Sequence, residues 1–368
     1  MIKLQDLIEA TGGQTFGPVF NDGFPDFCYD SRIVEPGQLF LAVKTEKGDG
    51  HDYIDDACRG GAAGVLSQRG VDVSDYEATS VVVPNTQQAL SDWAGFVLRK
   101  YGTEVIGVTG SVGKTGAKEA IAHVLASDRP VFRNHANYNG RYGLPIALGR
   151  LQPDHRIAVL EMACDSFHEI EEMARLTRPR VGVVMSVAPA HLEYLGSLEN
   201  IAQEKGRLVE ALPREGYAVL NSDDPRVRGM ASRTDADVTT FGTSEEADLW
   251  ADQIETSLDG TRFRLHTDGE TYQIALGLLG RHSVYTALAA VAVAKVYAVP
   301  LDTAIDRLGS LLPLRGRLNP LEGVEGTLLL DDSYSANPRS VSAALDFVAG
   351  LDGRRIAGEA TTSTGDHL

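Results

Sequence analysis

The densest chemistry in the chain lies in Thr109-Gly110-Ser111-Val112-Gly113-Lys114-Thr115. The segment follows the apolar run Val105–Val108 and leads into a stretch with helical character from Lys114 to Ala126. Glycines between a strand and a helix let backbone N–H groups approach phosphate oxygens, and the helix N-terminus adds the positive end of its dipole. In such a loop the lysine reaches the β- and γ-phosphates and the next hydroxyl residue a Mg²⁺ ion, the roles that fall to Lys114 and Thr115. The usual spacing has a further glycine five residues before Gly113. Position 108 is Val, so this is the shorter G-x-x-G-K-T form. The competing reading is a glycine-rich turn with a chance Lys-Thr pair. Glu161 follows the apolar run Ile157–Leu160. A carboxylate at the carboxyl end of a parallel strand points into the ligand crevice, and beside a phosphate loop it is a natural Mg²⁺ ligand. Without the loop it would read as a solvated strand end. His191, in Ala188-Pro189-Ala190-His191-Leu192, and Lys205, in a helical stretch, are not singled out by spacing alone.

These residues need a scaffold that brings strand ends together. Apolar runs at Ile157–Leu160, Val181–Met185 and Ala218–Leu220 alternate with helical stretches at Glu169–Leu176 and Leu198–Leu212. That alternation predicts an α/β fold with a mainly parallel sheet covered on both faces. Residues 237–275 read as β-rich, with turns at Leu258–Gly260 and Asp268–Gly269, followed by helices through Tyr285–Tyr297 and Leu301–Leu308. Residues 1–85 read as a small α/β unit: a short helix from Leu4 to Ala10, then strands at Leu39–Val43, Gly64–Leu66 and Ser80–Val83. A linking helix is expected over 87–101. The expected division is therefore a unit over 1–85, a phosphate-loop domain over 86–318 and a third, Rossmann-like domain over 319–368. Of the third only the start is expected: a strand at Thr327–Leu330, a helix at Val341–Gly350, then the aperiodic GEATTSTGDHL.

Composition excludes some functions. The chain has 368 residues, with 34 Lys plus Arg against 51 Asp plus Glu, a net charge of −17. Such an acidic surface repels phosphate backbones and argues against nucleic acid as a partner. Hydrophobic residues make up 43%, enough for a large core. Cys28, Cys58 and Cys164 are too scattered for a disulfide framework and fit a reducing cytoplasm. MIKLQDLIEA lacks the apolar core of a signal peptide, and the apolar run Ala287–Ala294 ends at Lys295, short of a membrane span. A cytoplasmic location without membrane insertion is expected.

Taken in order, the motifs resemble the Mur ligase family, the ATP-dependent amide-forming enzymes of peptidoglycan-precursor synthesis. Asp30-Ser31-Arg32, Pro36-Gly37, Leu39-Phe40 and Gly48-Asp49-Gly50-His51 resemble its N-terminal UDP-binding domain. The phosphate loop, Glu161-Met162, Pro189-Ala190-His191-Leu192-Glu193, Gly196-Ser197 and Lys205-Gly206 resemble its central ATPase domain, continued by Asn221-Ser222-Asp223-Asp224-Pro225, Gly280-Arg281-His282 and Gly316-Arg317. Asp331-Asp332-Ser333-Tyr334 with Ala336-Asn337-Pro338 resembles the opening of its C-terminal domain, in the form found in members that add D-alanyl-D-alanine rather than diaminopimelate or lysine.

The resemblance implies that ATP phosphorylates the terminal carboxylate of a UDP-N-acetylmuramoyl-tripeptide, and that the amine of D-alanyl-D-alanine attacks the acyl phosphate. It implies ATP contacts at Thr109 to Gly116, His282 and Arg317, and substrate contacts at Ser31, Arg32, Asn137 and Asn139. Mg²⁺ would be held by Thr115, Glu161, His191 and Lys205, the lysine as a carbamate, with Lys114, Glu161, His191 and Lys205 catalytic. A monomer is expected, with a partner chain as the source of any closing function that the third domain lacks. The chain departs from the pattern at Val112, Gly116, Gly140, Arg141, the stretch Ser283 to Thr286, and Ser335. Three alternatives stay open at this level: a catalytically impaired remnant that still binds UDP-sugar or nucleotide, a relative such as a folylpolyglutamate synthase, and a pure interaction module.

Overall fold

The structure, a computed structural model, describes residues 1–45, 48–135, 137–190 and 192–351. The N-terminal unit opens with helix α1 (Leu4–Thr11) and carries strands β1 (Gln14–Phe16), β2 (Phe27–Cys28), β3 (Leu39–Leu41), β4 (Gly64–Ser67) and β5 (Thr79–Val82). They form one sheet in the order β1-β5-β4-β3-β2, parallel from β2 to β5, with β1 antiparallel along β5. β1 has no counterpart in the sequence reading. All three of its residues are exposed, so it lacks the apolar alternation that marks a half-buried strand.

Helix α2 (Thr86–Tyr101) is the expected linker. Asn85 caps it by accepting from the backbone N–H groups of Gln87 and Gln88, and Gly102 ends it with a φ of 64°. Its apolar face, including Leu90, Trp93, Val97 and Leu98, is buried in a cluster that contains Ile2 and Leu7 of the N-terminal unit and Met173 and Ala174 of the middle one. One continuous core thus joins the two units.

The middle of the chain runs β6 (Glu104–Thr109), α3 (Lys114–Leu125), β7 (Val131–Arg133), β8 (Ile157–Glu161), α4 (Glu169–Thr177), β9 (Val181–Val184), α5 (Leu198–Glu210), β10 (Tyr217–Asn221) and β11 (Asp237–Gly242). Strands β12 (Leu249–Ser257), β13 (Gly260–Thr267) and β14 (Glu270–Leu276) and helices α6 (Ser283–Val296) and α7 (Leu301–Gly309) follow. The strands form a nine-stranded sheet in the order β7-β8-β6-β9-β10-β11-β12-β13-β14. It is parallel from β7 to β12 and antiparallel over β12, β13 and β14. The mainly parallel sheet is as expected, and the β-rich stretch is its antiparallel wing. Alternate residues of β8 face two cores: Ala158 and Leu160 one, Ile157 and Val159 the other. Helix α6 is buried on nearly every side, which explains its uninterrupted apolar run.

β8 and β9 flank β6 on opposite sides, so the strand order reverses there. At such a switch point the loops beyond the strand ends separate and leave a crevice. The phosphate loop, Glu161 and the segment after β9 all emerge on that side.

The C-terminal part needs one correction. Rather than a single strand and helix, it holds a hairpin of β15 (Asn319–Glu322) and β16 (Leu328–Asp331), paired antiparallel, then α8 (Pro338–Ala349). Pro320 hides β15 in the sequence, because proline lacks an N–H for a ladder and is confined to edges. Phe347 of α8 packs with Leu279 and Leu318. The tail after Leu351 lies outside the described residues. Among the described residues no helix is long and apolar enough to cross a membrane.

Candidate active site

The phosphate loop is held by the segment that follows β9. Ser111 Oγ donates to the Ala188 carbonyl at 3.0 Å and accepts from the Ala188 N–H at 2.9 Å. Ser186 Oγ accepts from the Val112 N–H and donates to the Val112 carbonyl, each at 3.0 Å. Gly110 has a φ of 151°, and a Cβ there would sit 2.9 Å from Met185 Cβ, so neither the backbone nor the space admits a side chain. Gly113, with a φ of 86°, starts α3 directly behind it. Thr109 Oγ1 donates to the Met162 carbonyl at 2.8 Å, tying the loop's first residue to the residue after Glu161.

Lys114 Nζ donates to the Gly110 carbonyl at 2.8 Å. Burial of its head group lowers its pKa to about 8, and the neighbouring Lys205 cation adds to the effect. A lysine so disposed gains by meeting an anion. Thr115 is half-buried in the first turn of α3. Gly116 lies against α6: a Cβ there would meet Thr286 Oγ1 at 3.2 Å. Its lack of a side chain therefore goes with close packing of the two helices.

Glu161 closes β8 as its last residue, one position further than the apolar run indicates, and is 3% exposed. Asn139 Nδ2 donates to its Oε1 at 2.8 Å. Its other oxygen, Oε2, is buried with no hydrogen-bond partner among the described residues. An orphaned buried carboxylate oxygen costs free energy unless a cation meets it. That donor suits Mg²⁺, which takes one or two carboxylates and completes its shell with water and phosphate oxygens. Among the described residues no group of three or more His, Cys, Asp or Glu side chains could hold a metal. Lys205 is 4% exposed, and its Nζ lies 3.7 Å from Cys164 Sγ. His191 lies outside the described residues.

Asn134 is the site residue that sequence reasoning missed. It is 1% exposed; its Oδ1 accepts from the Glu161 N–H at 2.9 Å and its Nδ2 donates to the Glu161 carbonyl at 3.0 Å. A polar residue just past a short edge strand is the only local signal. Asn137 is exposed, and its carbonyl accepts from the Asn139 N–H at 2.8 Å.

His282 directly precedes α6, and its pKa is lowered by burial, raised by Asp332 and lowered by Arg317. Arg317 lies 4.6 Å over the Tyr334 ring and is among the cations that lower Lys114. The structure thus gathers the loop, Glu161, Lys205, His282 and Arg317. Ser31 and Arg32 remain in the N-terminal unit, in the short turn Ser31–Ile33. There the Arg32 guanidinium makes two bonds to Asp30, at 2.8 and 2.6 Å, its backbone N–H adds a third at 3.1 Å, and together they hold that carboxyl at about 2.

Comparison with known proteins decides the family. The Mur ligase middle domain matches residues 108–294, and the Mur ligase family catalytic domain matches residues 27–96. The UDP-N-acetylmuramoyl-tripeptide–D-alanyl-D-alanine ligase of Escherichia coli is 35% identical over 329 residues, which are 89% of this chain and 72% of that protein. The chain belongs to the Mur ligase family. A crystal structure of MurF from Acinetobacter baumannii superposes with a TM-score of 0.86 at 28% identity, covering 96% of this chain and 77% of that one. The MurF ligase of Thermotoga maritima, solved in complex with ADP, gives 0.79 at 29%, covering 92% and 77%.

Against the Mur ligase pattern, two of the departures have local structural accounts. Gly116 serves the α3–α6 contact described above. Tyr285 donates its hydroxyl to Asp223 Oδ2 at 2.9 Å, an oxygen that also accepts from the N–H and hydroxyl of Thr243.

Proposed function

We propose that this Mur ligase joins D-alanyl-D-alanine to the terminal carboxylate of UDP-N-acetylmuramoyl-tripeptide in the cytoplasm, at the expense of ATP. The observation that carries the reading is the unpartnered Glu161 Oε2 beside a braced phosphate loop. The named relatives agree with it. In the first step the tripeptide carboxylate attacks the γ-phosphorus, an acyl phosphate forms and ADP leaves. In the second the dipeptide amine attacks the acyl carbon, an amide forms, and phosphate and a proton leave.

The chain's residues position and neutralise charge rather than form bonds. The N–H groups from Gly110 to Gly116 cradle the phosphates, and Lys114 exchanges its Gly110 contact for a phosphoryl oxygen. Asn139 holds Glu161 by Oε1, which leaves Oε2 as the oxygen that would meet a cation. Thr115, Glu161, His191 and Lys205, the lysine as a carbamate, would hold Mg²⁺, which neutralises charge on the transferring phosphoryl group. Carbamylation would also turn the Lys205 cation that opposes Lys114 into an anion that favours it. His282 and Arg317 belong to the nucleotide end. Ser31 and Arg32 meet the UDP-sugar, with Arg32 leaving Asp30 for a phosphate, and Asn137 and Asn139 border the peptide. Residues 1–85 then form the UDP-sugar domain and 86–318 the ATP domain, and 319–368 belong to the amino-substrate domain.

The test is a product assay. The purified protein with ATP, Mg²⁺, UDP-N-acetylmuramoyl-tripeptide and D-alanyl-D-alanine yields the pentapeptide mass with one ADP per amide. ATP turnover unaffected by omission of either co-substrate contradicts the proposal.

A further inference from the structure

A lysine that the mechanism does not use lies one turn beyond the phosphate loop. Lys118 of α3 is 2% exposed. A buried lysine persists only where its head group is paired. Its Nζ donates to the Asn134 carbonyl at 2.6 Å and lies 3.0 Å from Glu119 Oε1. Glu119 Oε2 in turn lies 2.6 Å from Arg133 Nε, at the end of β7. Helix α3 is thereby clamped to the end of β7 at the residue whose side chain brackets Glu161.

From Asn134 the connection runs on. Its side chain holds both backbone groups of Glu161 and also donates to the Tyr138 carbonyl at 2.8 Å. That contact shapes the turn from which Asn139 reaches Glu161 Oε1. Every bond in the path from Lys118 to Glu161 is between buried or half-buried groups, where directional bonds are strongest and least replaceable by water.

We propose that Lys118 is a positioning residue: acting through Asn134, it fixes the Glu161 carboxylate relative to the phosphate loop, so that metal and nucleotide are bound as one unit. The inference rests on the reading of Glu161 as the metal ligand. Partners that orient a metal ligand typically matter by roughly 10- to 100-fold in metal affinity.

The test is calorimetric binding of ADP over a Mg²⁺ titration, with no turnover involved. Lys118→Met keeps the side-chain volume and removes the donor. It is expected to raise the Mg²⁺ concentration that half-saturates the Mg²⁺-dependent tightening by roughly 10-fold or more, and to leave ADP affinity without Mg²⁺ unchanged. Asn134→Ser should shift the same midpoint in the same direction, and it decides the matter if Lys118→Met does not fold. An unchanged midpoint in the folded variants overturns the inference, as does an equal loss of Mg²⁺-free ADP affinity, which marks general damage to α3. Glu161→Gln separates the two layers. If it leaves the midpoint unmoved, the metal reading of Glu161 falls and this inference with it. If it abolishes the Mg²⁺ effect while Lys118→Met and Asn134→Ser do not move the midpoint, only the positioning role is wrong.

Discussion

The crevice beyond β6, β8 and β9 and the turn at Asp30–Arg32 carry the proposed site side chains in opposite states. In the crevice, Glu161 is buried, one oxygen is fixed by Asn139 and the other has no partner among the described residues. At the turn, Arg32 is exposed and spends its guanidinium on its own neighbour, Asp30. The first arrangement is preorganised: its cost is met by folding, and a bound cation recovers it. The second is satisfied before any ligand arrives and must be rearranged to bind one. Changes in the crevice should therefore act on the chemistry and on metal binding, and changes at the turn on substrate affinity alone.

Glu161→Gln is the sharpest way to break this contrast. It keeps the Asn139 contact within reach and removes the anion, and should lower kcat by at least ~10²-fold, the scale of losing one preorganised electrostatic group. A kcat within a few-fold of the parent would mean that Oε2 does not face the reacting charge. Asn139→Ala leaves the carboxylate charged but unheld. The expected loss is roughly 10-fold or more in apparent Mg²⁺ affinity, read from the Mg²⁺ dependence of ADP formation.

Arg32→Ala should raise KM for the UDP-linked substrate and leave kcat, the KM for ATP and the melting temperature unchanged, because an exposed pair held by a flexible side chain adds little to the fold. A fall in kcat with unchanged KM would place Arg32 in the chemistry and erase the distinction between the two regions.

The smallest effect concerns the nucleotide-free protein. Lys114 has a pKa lowered to about 8 from an ordinary 10.5, so its protonated form is disfavoured in the fold relative to the unfolded chain. That penalty is complete below about 8 and disappears as pH rises to the ordinary lysine value. Lys114→Met should therefore melt at a higher temperature than the parent at pH 7, and the gap should close between about pH 8 and 10.5. A gap independent of pH would mean that the charge of Lys114 is not what destabilises it.

The two regions also differ in how they read from sequence. The placement of the loop from Thr109 to Thr115 between strand and helix, and of Glu161 at a strand end, is legible because it follows from residue type and local apolar pattern. Asn134 and Lys118 are not. Their contacts span 27 and 16 residues, between elements whose adjacency only the folded sheet creates. The same holds for the orphaned state of Glu161 Oε2, which depends on every atom around it. The larger helices and inner strands follow the apolar period within two or three residues. β1 and β15 escape for local reasons, one wholly exposed and the other containing a proline. The motif order read Ser31 and Arg32 as substrate residues, and the closure of Arg32 onto Asp30 is a conformational fact that spacing does not encode.

The central claim is that folding leaves Glu161 Oε2 free for a cation beside the phosphate loop. Crystals grown with ADP and Mn²⁺, measured at the manganese absorption edge, test it most directly. The account expects an anomalous peak at bonding distance from Glu161 Oε2, with ADP phosphates on the N–H groups of the 110–116 loop and Asn139 still on Oε1. Bound ADP with no ion at Oε2, and that oxygen taken up by a protein donor, would contradict it.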